Sequence, residues 1–230
     1  MAYSIFMKKM LIMVIFIFCV SICFGQWSLD FTGGVPSYSS FFDNEYEIYN
    51  GYSFGISSRI KIVNNFGIGV HSNFMYFPKI VSGEDNESII IKGKDCELLF
   101  GFDFLLGPSF LLYDNGNLKV PITLGFRGFG MAILMNVDVP LEYQYLSTGK
   151  PEATFFSFNY GIGFSISVEY HFTKRLYLIG RVQGGLDFVF FNTSEVKVPT
   201  NIGTFTMTDE DYGFTKMFSV NPQIGIGIQF

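Results

Sequence analysis

The chain has 230 residues, 49% hydrophobic and 19% aromatic, with 20 acidic against 15 basic side chains and a formal net charge of −5. That acidic balance argues against nucleic acid and other polyanions as partners. Three cysteines are too few for a disulfide scaffold, and past residue 25 no apolar run reaches the roughly 20 residues of a membrane helix.

Residues 1–25 read as a secretory signal peptide. Lys8 and Lys9 precede an apolar run from Met10 to Phe24, and Cys23 and Gly25 stand at the minus-three and minus-one positions of a cut before Gln26. A retained, tilted helix and a lipoprotein acylated on Cys23 are the other readings. The run is short for the first, and Ile22 is bulky for the second. The expected mature domain is 26–230, with Cys96 as its one thiol.

From Trp27 onward the pattern has period two. Residues 27–35 open it. In 52–62, Tyr52, Phe54, Ile56, Ile60 and Ile62 alternate with Ser53, Gly55, Arg59 and Lys61. In 66–76, Phe66, Ile68, Val70 and Phe74 alternate with Gly67, His71 and Asn73; in 96–106, Leu98, Phe100, Phe102, Phe104 and Leu106 alternate with Glu97, Gly101 and Asp103. Residues 118–128 set Leu118, Val120, Ile122, Leu124 and Phe126 against Lys119, Thr123 and Arg127. The longest case is 155–172, where every second position from Phe156 to Phe172 is apolar and the opposite face carries Ser, Asn, Gly, Glu169 and His171. Residues 176–190 set Leu178, Val182, Leu186, Phe188 and Phe190 against Arg181, Gln183, Gly185 and Asp187, and 218–230 completes the series. Successive strand side chains point to opposite faces, so these are eight strands, each wet on one side and oily on the other.

The connections alternate in length. Tight turns are expected at "VNN" (63–65), "DNGN" (114–117) and "TKR" (173–175), with long loops at 37–50, 78–94, 136–153 and 191–216. An up-and-down membrane barrel has this rhythm, with its short turns on the periplasmic side. An eight-stranded interior is too narrow for the large residues of every strand, so the oily face must look out at lipid. Closure then removes the unpaired edges that hydrocarbon does not tolerate. The expected fold is all-β, an eight-stranded antiparallel up-and-down transmembrane β-barrel. Pro108, Pro121 and Pro222 fall inside strands and imply bulges or strand ends there.

The last strand alternates Ile224, Ile226, Ile228 and Phe230. Such an ending resembles the insertion signal read by the barrel-assembly machinery of diderm bacteria. With the strand count and loop rhythm, the chain resembles small outer-membrane barrels of the OmpX, OmpA-domain and OmpW kind. Its Phe-, Ile- and Asn-rich style is similar to that of uncharacterised spirochaetal barrels. The resemblance implies export to the outer membrane of a Gram-negative-type cell, with outer-membrane lipid and the assembly machinery as partners.

A polar lumen network is expected from the inward parity of Asp30, Arg59, Lys61, His71, Glu97, Asp103, Arg127, Glu169, Arg181 and Asp187, with Lys119 and His171. Folding across "DNGN" sets Arg127 beside Asp103 or Leu105, and folding across "VNN" sets Arg59 near Gly69 and diagonal to His71. Buried charges need partners, so a salt-bridged plug is the main reading and a proton or ion gate the sharper one.

No catalytic set, cofactor or metal site is expected. Small barrels that are lipid A acyltransferases or deacylases place a His with a Ser and an acid near the outer rim. Here His171 abuts "TKR", His71 is mid-strand, and neither lies in a long loop. The "GIG" triplets (67–69, 161–163, 225–227) lack the third glycine and following helix of a nucleotide loop; their glycines relieve crowding inside.

The long connections are acidic, with Asp43, Glu45, Glu47, Asp138, Glu142, Glu195, Asp209, Glu210 and Asp211 among their charges, and they interleave Tyr and Phe. "TDED" (208–211) has the oxygens of a divalent-cation site, but a solvated acidic tip is the main reading. The expected role is therefore a structural or adhesin-like surface barrel without enzymatic activity, binding a host or extracellular ligand through these loops. Resemblance to OmpW-type barrels implies the alternative, a narrow channel for small hydrophobic molecules. Inward-facing Met75, Phe77, Leu99, Leu105, Phe129, Met131 and Ile133 fit that alternative.

Overall fold

A computed structural model describes residues 27–42, 45–63, 65–84, 87–92, 96–136, 149, 151–201 and 203–230. The signal segment 1–25 and the acidic positions Asp43, Asp138 and Glu142 lie outside them. Ten strands follow in order: β1 (Trp27–Gly34), β2 (Ser37–Phe42), β3 (Glu45–Val63), β4 (Phe66–Glu84), β5 (Glu87–Lys92), β6 (Cys96–Asp114), β7 (Leu118–Asn136), β8 (Glu152–His171), β9 (Leu176–Thr200) and β10 (Gly203–Gln229).

Eight staves close the ring. β1 and β2 are one stave broken at Val35–Pro36, since both pair with β10 on one side and β3 on the other. β5 is a short outer partner of β4. All pairings are antiparallel, and the seam closes through Leu29↔Ile228, Phe31↔Ile226 and Gly33↔Ile224.

The turns follow their chemistry. At "DNGN" Gly116 takes φ +89°, its N–H bonds Asp114 Oδ1 at 2.8 Å, and the Leu118 N–H bonds Asn115 Oδ1 at 2.7 Å. At "TKR" the Thr173 hydroxyl accepts from the N–H groups of Arg175 and Leu176.

The prolines do not end their strands. The β6–β7 register passes from Leu106↔Phe126 to Ser109↔Thr123 over Pro108, and β7–β8 passes from Lys119↔Glu169 to Ile122↔Ile166 over Pro121. Pro222 sits where β10 changes partner from β1 to β2, and its carbonyl accepts from the Val35 N–H at 3.2 Å. Over Pro108 and Pro121 the ladder skips rungs, as a missing donor dictates, and the expected bulge stands opposite Pro121, between Leu111↔Pro121 and Tyr113↔Val120.

The expected long loops are largely strands. Residues 37–42 pair with 45–50, 79–84 with 87–92, and β9 with β10 continuously up to Thr200↔Gly203. β9 has 25 residues and β10 has 27, whereas about 9–11 cross a bilayer. The described residues of 37–50, 78–94 and 191–216 are therefore paired strands that continue the barrel wall.

Parity slips at several bulges, and one of them re-aims a phenylalanine. Tyr160↔Val189 is followed by Gly161↔Asp187, so Phe188 is an extra residue in β9. That extra residue turns Phe190 inward, 6% exposed, although strict alternation places it beside outward-facing Phe188.

Outside, the oily face is continuous. Phe74, Phe102, Phe104, Phe126, Tyr160 and Phe158 form a chain of ring contacts across β4, β6, β7 and β8, with centroids 5.1–6.4 Å apart. Ile162 and Ile224 are 61% and 72% exposed. In water such a belt would be a large unfavourable surface; in lipid it is the solvated one.

Candidate functional site: a plugged lumen beneath an acidic hairpin

Three tiers fill the interior, starting from the short-turn end. In the lowest, Arg59 of β3 holds Glu169 of β8 through two bonds of 2.8 and 3.2 Å, and His171 Nε2 lies 3.3 Å from the same carboxylate. The His171 ring stacks on Tyr177 at 4.5 Å. Tyr177 donates to one oxygen of Asp30, and Arg181 pairs with the other while also donating to Ser57 (2.5 Å) and Ser167 (3.0 Å). Charges this deep are tolerated because each oxygen and guanidinium has a fixed partner.

The middle tier centres on Arg127. Its Nη1 donates to Asp187 at 2.6 Å and its Nε to Asp103 at 3.2 Å. The second Asp103 oxygen accepts from Tyr38 (2.9 Å) and Gln183 (3.2 Å). From Gln183 a relay of amides and a hydroxyl continues through Asn73 and Gln223 to Thr32. Strands from around the ring are tied together at one level.

The upper tier is apolar. Met75, Phe77, Leu99, Phe129, Met131 and Ile133 pack with Tyr38, Tyr49 and Met217 in one buried cluster, and Leu105 is buried beneath it. Tyr38 stacks on Phe129 at 4.5 Å and meets Phe77 edge-on at 6.0 Å. These inward side chains occupy one another rather than lining an open path.

Glycines make the room. A Cβ on Gly69 would meet Thr123, one on Gly163 would meet Arg127, and one on Gly227 would meet the Tyr177 ring. These "GIG" glycines are places where a longer side chain from elsewhere crosses the lumen.

Several expected members of the network lie apart from it. Lys61 is exposed at the short-turn mouth, where it lines a cavity of about 70 Å³ with Arg59, Lys119 and Gln229. Parity is right for Lys61, but its position near the strand end puts it in solvent. His71 bonds Thr123 at 3.2 Å, while Arg59, its expected neighbour, reaches across the lumen to Glu169. The Glu97 side chain lies outside the described residues. Sequence reasoning missed Tyr38, Asn73, Gln183 and Gln223 as members; the signal was there, since neutral polar residues of inward parity are the natural partners of buried charge.

Above the plug stands the β9–β10 hairpin. Asp209 and Asp211 lie on one face of β10 opposite Ser194 and Asn192, and Glu210 lies on the other opposite Thr193. Among the described residues no three His, Cys, Asp or Glu side chains converge as a metal site would need.

No family model matches the chain, and no curated protein matches it. Solved structures do. The outer membrane protein OprG from Pseudomonas aeruginosa superposes with a TM-score of 0.53 at 11% identity, covering 90% of this chain and 96% of that one. A major outer membrane protein from Thermus thermophilus gives a TM-score of 0.53 at 13% identity, covering 89% and 99%. Identities this low speak for the fold alone. The fold is that of a small bacterial outer-membrane β-barrel.

Proposed function

We propose that this protein is an integral outer-membrane barrel, exported by residues 1–25, whose task is performed by its outer hairpins and not by its lumen or by catalysis. One observation carries the reading: the wall rises beyond the bilayer as strands with acidic side chains, while the interior is occupied by a salt-bridged tier and an apolar tier. A scaffold held rigid by such a plug presents its outer strands in a fixed geometry, which suits binding an extracellular or host partner. Ile224, Ile226, Ile228 and Phe230 serve as the assembly signal in this reading.

The test compares cells carrying the wild-type barrel with cells carrying one whose outer hairpins are cut back to tight turns. Both are scored for adherence to immobilised extracellular-matrix protein at matched outer-membrane levels. Loss of adherence in the shortened barrel is expected. Equal adherence would leave only a structural role.

A further inference from the structure

β10 changes character at Lys216. From Lys216 to Val220 it pairs with β2, and from Gln223 to Gln229 with β1. Above that, Gly203–Phe214 pairs with β9 alone, because β2 ends at Phe42. Among the described residues this stretch is an edge strand about 40 Å long, at about 3.3 Å per residue. Alternate residues along it turn both N–H and C=O away from β9. Its lower end is marked by Tyr212 and Phe214, 80% and 81% exposed, where the oily belt continues outward.

The free edge above the belt has a defined chemistry. Phe205 and Met207 share a face with Asp209 and Asp211, while Glu210 faces the other way. All five side chains are exposed. Lys197, the cation opposite Thr206 on β9, is paired with Glu195 at 3.2 Å and is not aimed at this cluster. Carboxylates on both faces of an edge discourage identical edges from pairing. Two copies in one bilayer would run this edge in the same direction, setting Asp209, Glu210 and Asp211 against themselves.

We propose that the β10 edge from Gly203 to Asp211 is a strand-addition site for an extended, basic peptide segment of a soluble partner. The segment adds its backbone to the open ladder, places apolar side chains beside Phe205 and Met207, and sets lysine or arginine against the three carboxylates. This rests on the surface-binding reading above and names the partner class for it.

The experiment uses the full barrel refolded in nanodiscs and a fluorescent synthetic peptide alternating valine and lysine. The comparisons are a valine–glutamate peptide and a valine–lysine peptide N-methylated on alternate residues, which keeps the charge and blocks one ladder edge. The unmodified basic peptide is expected to bind at least about tenfold more tightly than either. A D209N/E210Q/D211N variant, checked for the heat-modifiable mobility of a closed barrel, is expected to lose about tenfold. Equal binding of the N-methylated peptide, equal binding of the acidic one, an unaffected triple variant, or occupation of the edge by a second copy would each overturn the proposal. If the peptide fails while hairpin-dependent cell adherence persists, strand addition alone is lost; if both fail, the surface-binding reading falls with it.

Discussion

Arg127 of β7 passes over β8 to reach Asp187 of β9 at 2.6 Å, and it does so through space left by two glycines. A Cβ on Gly163 would stand 3.0 Å from Arg127 Cδ, and one on Gly185 only 2.6 Å. The guanidinium also lies over the Tyr38 ring, with its central carbon 5.3 Å from the centroid, so the polar tier and the apolar tier meet at this side chain.

Removing that cation should be costly. An Arg127→Met substitution leaves Asp103 and Asp187 buried without their counter-charge, a loss of about 3–5 kcal/mol. Urea unfolding of the refolded barrel in micelles reads it directly. Adding Asp103→Asn and Asp187→Asn to the same chain should restore most of the loss, because the orphaned charges go with it. An unchanged midpoint in the single variant would show that the triad does not hold the lumen together.

The glycine argument makes a paired prediction on one strand. Gly185→Val pushes into Arg127 and the Ile162 carbonyl, at an expected cost of about 1–3 kcal/mol. Gly180→Val on the same strand meets nothing within 4 Å and should change stability by less than about 0.5 kcal/mol. Parallel unfolding curves of the two variants check the pair, and equal effects would mean that β-propensity rather than lumen space governs both.

The apolar tier decides between a closed plug and a path for hydrophobic solutes. Phe77 and Phe129 are buried and contact Tyr38 from two sides. Liposomes carrying the wild-type barrel should show no flux of a hydrophobic solute above empty liposomes. The Phe77→Ala, Phe129→Ala double variant should open flux, and each substitution should cost about 3–5 kcal/mol. Wild-type flux as fast as the double variant's would restore the channel reading.

Eight staves, the outward belt and the tight turns were legible because lipid on one side and packed lumen on the other write period two into Phe156–Phe172 and its counterparts. Where both faces meet water that pressure vanishes. "NTSEVKV" and "TFTMTDED" are largely polar on both sides, so the upper part of β9 and β10 reads as loop although it is strand. The inward turn of Phe190 depends on a one-residue bulge that composition does not announce. Arg127 could be placed beside Asp103 from the "DNGN" hairpin because that contact is local. Arg59 could not be placed beside Glu169, since only closure of the ring brings β3 and β8 to one level. Local register is readable; partners across the lumen are a property of the cylinder.

The seam offers the last test. Phe230 stacks on Trp27 with ring centroids 4.1 Å apart, and its N–H bonds the Trp27 carbonyl at 2.8 Å. Two roles for this aromatic predict different failures. As a stacking partner alone, its loss costs about 0.5–1.5 kcal/mol in the finished barrel and leaves assembly in cells unaffected. As the residue read by the assembly machinery, its loss lowers the amount of barrel in the outer membrane far more than that energy can explain. A Phe230→Ser variant separates the two when refolded yield in micelles is measured beside heat-modifiable barrel in cell envelopes. Near-normal refolding with severe loss in envelopes is the expected outcome, because the backbone pairing from Ser28↔Gln229 to Gly34↔Gln223 survives the substitution. Equal modest losses in both would remove Phe230 from the assembly signal and leave it as a seam contact.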